Sequence, residues 1–209
     1  MSEPVLYDYW RSSAAYRVRI ALNLLGLSYR SISVDLLAGE QRSPANLQRN
    51  PQGLVPTLEI DGQSLTQSLA ILEYLEETHA AGWLPQGAAA RAIVRAMACA
   101  VAVEIHPVCN LRVARHAVSL GGTMEGWMQH FITLGLEGLE GLLQRHPTGR
   151  FCYGDSVTLA DICLAPQIYN AHRWAVDLSA FPRVSAVSTA LEELAPFQSA
   201  HPGRVKPAG

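Results

Sequence analysis

The sequence has little net charge and few cysteines. Its formal net charge is −2 at pH 7, and no cluster of basic residues stands out. This gives no electrostatic reason to expect binding to nucleic acid or to an anionic membrane. The four cysteines contain no Cys-X-X-Cys pair and have no nearby histidines at ligand spacing. The sequence therefore predicts neither a disulfide framework nor a metal site.

Targeting segments are also missing. Residues 1–4 lack the charged and apolar regions of a signal peptide, and no apolar run reaches the roughly 18 residues that a membrane span needs. The chain has no internal repeat and no low-complexity tract. We therefore expect a cytoplasmic protein without a membrane partner.

The cysteines that are present are expected to be structural. We expect Cys99, Cys152 and Cys163 to be small buried apolar side chains. Cys109 lies next to a segment suspected of binding ligand, so a ligand contact is left open for it.

The most informative stretch of the chain is residues 11–22. It follows a strand-like run at residues 5–9 and opens an amphipathic helix at Ser12 and Ser13. Such a helix start combines free backbone N–H groups with the positive end of the helix, which suits a phosphate or a thiolate. Plain capping of the helix by a serine is the alternative.

Two later segments favour a binding role for that turn. Residues 50–60 form a loop that leads through Pro56 into a strand, and residues 61–62 are an Asp-Gly hairpin turn. Ser68 then precedes a helix with an apolar face. With residues 27–36 as the second strand, the first eighty residues predict the order β-α-β-α-β-β-α.

The rest of the chain predicts helices only. A segment rich in Gly and Pro, residues 81–87, is the expected linker. We expect Pro107 to bend or interrupt a helix, and Thr158 with Asp161 to form a structural capping box. Helical periodicity covers residues 88–105, 108–120, 124–145, 161–174 and 184–194. The predicted fold class is α/β plus all-α, with an α/β domain at residues 1–80 and an all-helical domain at residues 88–209.

This arrangement resembles the zeta class of the glutathione transferases, whose N-terminal domain has the thioredoxin fold. Residues 12–22 are similar to the zeta-class motif Ser-Ser-Cys-X-Trp-Arg-Val-Arg-Ile-Ala-Leu, with Ala14 in place of the cysteine and Tyr16 in place of the tryptophan. The resemblance covers nearly the whole chain. It also includes residues 67–71, 105–107, 153–155, 158–161 and 200–202. The tail at residues 204–209 departs from the Gln-Pro-Asp ending that is common in the family.

The resemblance implies a glutathione site in the N-terminal domain. Ser12 would donate to the glutathione thiol, with Ser13 as a second donor, so that the thiolate is favoured. Because Ala14 replaces the motif's cysteine, the nucleophile has to be the sulfur of glutathione. The remaining glutathione-binding candidates are Gln41, Val55, Pro56 (with a cis Val55-Pro56 bond), Gln67, Ser68, His106 and Asn110.

The activity implied by the resemblance is a glutathione-dependent cis–trans isomerisation. Zeta-class members are maleylacetoacetate isomerases, which form fumarylacetoacetate in tyrosine and phenylalanine catabolism. The thiolate adds to the cis double bond, the resulting single bond rotates, and the thiolate leaves. Arginine binds carboxylates at two points, so Arg11, Arg112 and Arg173 are the candidates for the dicarboxylate substrate, with Arg11 also beside the catalytic serines.

Several alternatives stay open at this point. Maleylpyruvate isomerases are close kin, and a general zeta-class transferase or peroxidase would share the same thiolate. A non-catalytic glutathione-binding module is the alternative from a different class. The resemblance also implies a homodimer that pairs the α/β domain of one subunit with the helical domain of the other.

Overall fold

The computed structural model describes residues 3–146 and 149–207. Its contacts divide the chain into two compact units. One unit comprises Met1–Ala81 together with Ala195–Gly209, and the other comprises Gly82–Leu194.

The N-terminal part of the first unit has the predicted order of elements. They are β1 (Val5–Asp8), α1 (Ser13–Leu24), β2 (Arg30–Ser33), a 3₁₀ turn (Glu40–Arg42), α2 (Pro44–Arg49), β3 (Thr57–Ile60), β4 (Gln63–Thr66) and α3 (Ser68–His79). The β-α-β-α-β-β-α prediction is therefore confirmed. The second strand is shorter than the ten residues predicted, because only four of them pair with β1.

Helices joined by loops make up the second unit in its described residues. Its elements are α4 (Ala88–Cys99), a π-helical stretch (Ala100–Ile105), α5 (His106–Val108), α6 (Leu111–Ser119), α7 (Met124–Arg145), α8 (Leu159–Arg173) and α9 (Pro182–Glu192). The interruption expected from Pro107 is confirmed: α5 ends one residue after it. The next helix starts at Leu111, three residues later than predicted, because Asn110 is its N-cap.

Two short helices near the C-terminus were not predicted. They are α10 (Ala195–Ala200) and α11 (Pro202–Val205), and they cluster with the N-terminal unit rather than with the helical one. The Nε of Arg19 donates to the Ala200 carbonyl at 3.0 Å, and Asn23 donates to the Pro196 carbonyl at 3.1 Å. The sequence predicts a second domain over residues 88–209. The helical unit instead ends at Leu194, because the segment after it contacts α1. Ala208 and Gly209 of the atypical tail lie outside the described residues.

The sheet has the order β2-β1-β3-β4. β2 pairs parallel to β1, whereas β3 pairs antiparallel to both β1 and β4. The core beneath it includes Leu6, Leu58, Ile20 and Leu72, all fully buried. Burial of such side chains is the main source of stability in a unit of this size.

One helical run of the second unit passes the length and composition test for a membrane span. The run is Ala88–Ser119, and 33% of its most apolar window is buried. The run carries the charged residues Arg91, Arg95 and Glu104, so it holds no uninterrupted apolar stretch of roughly 18 residues. A core helix of a soluble protein passes the same test, so length and composition alone do not assign a membrane role.

The predicted capping box lies at the start of α8. The carboxylate of Asp161 accepts hydrogen bonds from the backbone N–H of Thr158 at 2.8 Å, from its hydroxyl at 2.6 Å and from the N–H of Cys152 at 2.8 Å. Burial raises the pKa of Asp161, and the hydrogen bonds from Thr158 and Cys152 act in the opposite direction. All three donors belong to the scaffold, which confirms the structural role.

The cysteines follow the prediction with one exception. Cys152 and Cys163 are buried, as expected. Cys99 is exposed, so that prediction was wrong. The reason is its position on α4, where Met97 and Ala98 occupy the inward face at that level.

Candidate functional site

The Ser12 turn has the geometry of an anion site at a helix start. Ser12 is the N-cap of α1, and its Oγ accepts a hydrogen bond from the Ala15 N–H at 3.2 Å. The first turn of α1 contains no acidic residue, so its positive end is not neutralised from within. Ser12 and Ser13 are half-buried. The Ser12 hydroxyl can accept from Ala15 and still donate its own proton to an anion.

The register of the sheet places three predicted segments at one end of it. Tyr7 near the end of β1 pairs with Thr57 at the start of β3, and Thr57 pairs with Thr66 at the end of β4. The Ser12 turn follows β1, Val55-Pro56 precedes β3, and Gln67-Ser68 follows β4. The sheet therefore gathers Ser12, Val55-Pro56 and Gln67-Ser68 at a single edge.

The Val55-Pro56 peptide bond is cis, as the resemblance implied. The loop before it is held by Asn50, whose Nδ2 donates to the Leu54 carbonyl at 3.0 Å. The Oδ1 of Asn50 accepts from the Gln52 N–H at 3.1 Å. Asn50 is 2% exposed, so this loop is fixed by a buried side chain.

Gln67 and Ser68 form the start of α3. Gln67 has φ +67°, a left-handed backbone that is costly for a residue with a side chain, and such strain concentrates at functional sites. Its Nε2 donates to Oε1 of Gln52 at 2.8 Å, which connects the start of α3 to the loop before the cis-proline. Ser68 is buried, and its Oγ accepts from Nη1 of Arg17 at 3.0 Å. A buried guanidinium thus adds positive charge beside the N-terminus of α3.

Gln41 lies in the 3₁₀ turn after β2 and is half-buried. Its side-chain Oε1 is buried and has no hydrogen-bond partner among the described residues. A buried carbonyl oxygen without a donor is costly, so the position suits a ligand that carries an N–H group.

Arg11 precedes the serines on the same turn. Its guanidinium carbon lies 5.1 Å from the ring centroid of Trp10, within the range of a cation–π contact. Arg11 is half-buried, which leaves part of its donor fork open to a ligand.

The helical unit carries the other predicted residues. His106 is half-buried in α5, whereas Asn110 caps α6 by accepting from the Arg112 N–H at 3.1 Å. Arg112 is exposed in the first turn of α6. Arg173 is exposed at the end of α8, with its guanidinium carbon 4.7 Å from the centroid of the Trp174 ring. The capping bond uses one lone pair of Asn110 Oδ1, and its amide N–H groups can donate to glutathione.

Cys109 is buried in the segment between α5 and α6. Burial raises its pKa to about 11. A raised thiol pKa keeps the sulfur protonated near neutral pH, and a protonated thiol is a poor nucleophile. Cys109 therefore does not replace the cysteine that the motif lacks at Ala14.

Sequence reasoning missed three residues of this edge. Arg17 was not among the predicted site residues, yet its guanidinium contacts Ser68. Asn50 and Gln52 were treated only as loop residues. The Asn-Pro pair at the start of their loop is a turn signal that could have pointed to Asn50, but no sequence pattern pairs Gln52 with Gln67.

Comparison with known proteins agrees with this geometry. Residues 6–83 match the N-terminal domain model of the glutathione S-transferases, and residues 125–190 match the C-terminal one. The chain is 56% identical to the maleylacetoacetate isomerase of Rhizobium meliloti (strain 1021), over 99% of both chains.

Two solved structures extend the comparison. A bacterial zeta-class maleyl pyruvate isomerase in its holo form is 39% identical, with a TM-score of 0.94 over 98% of this chain and 100% of the other. The maleylacetoacetate isomerase of Anaeromyxobacter dehalogenans 2CP-1 is 44% identical, with a TM-score of 0.87 over 99% of this chain and 94% of the other. That protein holds dicarboxyethyl glutathione and citrate in its active site.

Proposed function

The chain belongs to the zeta class of the glutathione S-transferase family, and from that premise we propose that it isomerises maleylacetoacetate to fumarylacetoacetate with the help of glutathione. The single observation that carries this proposal is the Ser12 turn, a capped helix start without acidic residues at the edge where the cis-proline and Ser68 also lie. The reaction belongs to tyrosine and phenylalanine catabolism.

The residues at this edge fit glutathione. Ser68, with the Arg17 guanidinium on its hydroxyl and the N-terminus of α3 behind it, suits the γ-glutamyl carboxylate, with Gln67 beside it. The backbone at Val55, ahead of the cis bond, suits pairing with the cysteinyl residue. The unpartnered oxygen of Gln41 suits an N–H donor of the same ligand.

Bound there, glutathione supplies the sulfur that adds to the cis double bond and leaves again after rotation. Ser12 holds that sulfur as a thiolate, because its hydroxyl donates a hydrogen bond and the α1 N-terminus contributes positive charge. Ser13, the first residue of α1, is the second donor. The hydroxyl donation and the positive end of α1 both lower the pKa of the glutathione thiol, so its thiolate is present at neutral pH.

The arginines are proposed to bind the substrate. Arg11 stands next to Ser12, so a carboxylate held by it keeps the double bond near the sulfur. Arg112 and Arg173 are exposed on the helical unit and are assigned to the remaining polar groups of the substrate. His106 and Asn110 are assigned to the glycine end of glutathione.

Dicarboxyethyl glutathione in the Anaeromyxobacter protein supports this chemistry. It is a glutathione sulfur joined to a four-carbon dicarboxylate, the product of sulfur adding to a butenedioate. A relative's active site that accommodates such a molecule has room for sulfur and dicarboxylate together. The 44% identity over nearly the whole chain makes the same accommodation reasonable here.

The test is turnover of maleylacetoacetate with and without glutathione, in the wild type and in Ser12→Ala. We expect no turnover without glutathione and a loss of about 10- to 1,000-fold in Ser12→Ala, the range for removing one donor to a developing anion. Ser43→Ala is the matched control, since Ser43 caps α2 through an equivalent bond to Asn46 N at 3.3 Å.

Full activity without glutathione would refute the proposal, and so would equal losses in Ser12→Ala and Ser43→Ala.

Maleylpyruvate is the second candidate substrate, favoured by the TM-score of 0.94 to a maleyl pyruvate isomerase. Running both substrates side by side assigns the preference. Conjugation of bulky apolar electrophiles at higher rates than either would instead favour a general transferase or peroxidase.

We also propose a cytoplasmic homodimer. All four cysteines are free, as expected in a reducing compartment. We call α4 together with the π-helical stretch that follows it the α4 run. Its outward face carries four exposed small or apolar residues, Ala92, Ala96, Cys99 and Val103. Their spacing of four, three and four places them along one side of the helix, and a second copy of the chain is the proposed partner for that side.

A further inference from the structure

The C-terminal segment packs beside the Ser12 turn within the N-terminal unit. Nε of Arg19 donates to the Ala200 carbonyl at 3.0 Å, while Nη2 of the same guanidinium donates to the Trp10 carbonyl at 2.9 Å. One buried side chain therefore ties Trp10, two residues before Ser12, to the end of α10. The last described residues continue from there through α11.

Trp10 is contacted by a cation from each of these segments. The guanidinium carbon of Arg11 lies 5.1 Å from the centroid of its ring, and Nζ of Lys206 lies 5.5 Å from the same centroid. Both distances are within cation–π range. Lys206 is the only lysine in the sequence.

The two cations have no acidic partner in the described part of the chain. Within residues 3–146 and 149–207, neither has a carboxylate oxygen within 4.0 Å. Asp8, the acidic residue closest to Trp10 in sequence, is engaged by Arg19 at 2.7 and 2.8 Å. Their positive charges are therefore not compensated within the described part of the chain, and a bound anion would compensate them.

We propose that Lys206 and Arg11 together bind a carboxylate of the dicarboxylate substrate. This rests on the proposed function, since it is the thiolate at Ser12 that requires the substrate to lie next to Arg11. Arginine supplies a planar two-point contact and lysine a mobile point charge. The atypical tail thus contributes a substrate-binding residue, and Trp10 is the surface on which both cations are held.

The single lysine allows a binding test that does not depend on turnover. The lysine is acetylated with a water-soluble N-hydroxysuccinimide ester, and the rate is read from the mass of the tail peptide. Maleate plus glutathione should slow acetylation of Lys206 at least about fourfold, the effect of occupying roughly three quarters of the sites under mass action. Neutral maleamide should not slow it, and Arg11→Gln should abolish the protection by maleate.

Two outcomes of the labelling test overturn the proposal. Equal acetylation with and without maleate means that no carboxylate reaches Lys206. Protection by glutathione alone, with no further effect of maleate, means that the bound carboxylate belongs to glutathione and not to the substrate.

Kinetics give a second, independent test. Lys206→Met should raise the substrate KM by about three- to tenfold with kcat within about twofold, because it removes a contact made equally in the ground and transition states. Lys206→Arg should restore most of the loss, and the KM for glutathione should not change. Arg204→Gln is the matched control, since Arg204 is an exposed cation on the same tail.

A KM in Lys206→Met equal to that of Arg204→Gln overturns the two-cation site. This failure is distinct from failure of the proposed function. If Ser12→Ala is inactive while Lys206→Met behaves as the wild type, the isomerase assignment stands and only the site falls. If the wild type shows no glutathione-dependent turnover, the isomerase assignment is refuted. The acetylation experiment alone then tests whether Arg11 and Lys206 bind a carboxylate.

Discussion

Arg19 is the most heavily engaged side chain near the candidate site. It is 1% exposed and donates to both oxygens of Asp8, to the Trp10 carbonyl and to the Ala200 carbonyl. Burying a guanidinium costs several kcal/mol unless its donors are satisfied and its charge is paired. Here one residue meets both conditions and at the same time fixes the chain on either side of the Ser12 turn.

Removing Arg19 should therefore destabilise the protein strongly. Arg19→Met leaves the 4% exposed carboxylate of Asp8 buried without its cation, and we expect a loss of about 3–5 kcal/mol in the free energy of unfolding. Urea denaturation followed by circular dichroism measures it. The double variant Asp8→Asn/Arg19→Met should recover part of the loss, because no unpaired charge remains.

A surface ion pair provides the comparison for that variant. Arg49 and Glu59 lie 3.7 Å apart, with side chains 22% and 42% exposed. Glu59→Gln should cost less than about 1 kcal/mol. A similar cost for Arg19→Met and Glu59→Gln would contradict the role assigned to the buried pair.

Among the elements, sequence patterns located those that depend on local signals. The Ser12 cap, the Asp-Gly hairpin and the Thr158–Asp161 box each involve residues close together in the chain, so their residue types reveal them. The passage of α4 into a π-helical stretch before Pro107 carried no such signal. It depends on packing against other helices, which a single sequence does not display.

The start of α8 is the element most dependent on one side chain. Asp161 is fully buried and accepts from Thr158 N, Thr158 Oγ1 and Cys152 N. Asp161→Ala leaves these donors unsatisfied in the interior, so we expect a loss of about 3 kcal/mol in unfolding free energy. Thermal denaturation at pH 7.5 provides the measurement.

The matched variant is Asp177→Ala. Asp177 also accepts a backbone N–H and a hydroxyl, both from Ser179, but at an exposed turn where water replaces the lost oxygens. Its melting temperature should fall much less than that of Asp161→Ala. Equal losses would mean that the capping box does not support the helical unit.

At the scale of the whole molecule, the sequence predicted the class of fold. It did not predict that the C-terminal segment packs against α1 of the N-terminal unit. The division into an α/β part and a helical part follows from where strand patterns stop. Nothing in residues 195–207 indicates that they return to α1, because the contact of Ala200 with Arg19 spans 181 positions. The contact between Lys206 and Trp10 was not predicted for the same reason, because the two residues lie far apart in the sequence.

The exposed side of the α4 run is the feature that a single copy of the chain leaves unexplained. Only 33% of its most apolar window is buried, and Val103 is 51% exposed. Monomeric proteins rarely expose a contiguous apolar stripe of this kind, and an interface between copies is its common explanation. The stripe formed by Ala92, Ala96, Cys99 and Val103 is thus expected to be covered in solution.

A charge in that stripe should separate the proposed dimer. We expect the wild type to sediment at twice its 22.7 kDa chain mass at micromolar concentration, and Val103→Asp to sediment as a monomer, because an aspartate in a dry interface lacks a partner. Leu120→Asp is the control, since Leu120 is 77% exposed and lies outside the stripe. Alkylation of Cys99 should be slow in the wild type and fast in Val103→Asp. A wild type that sediments only at 22.7 kDa, or a Val103→Asp that stays dimeric, contradicts the assignment of this face to a second copy.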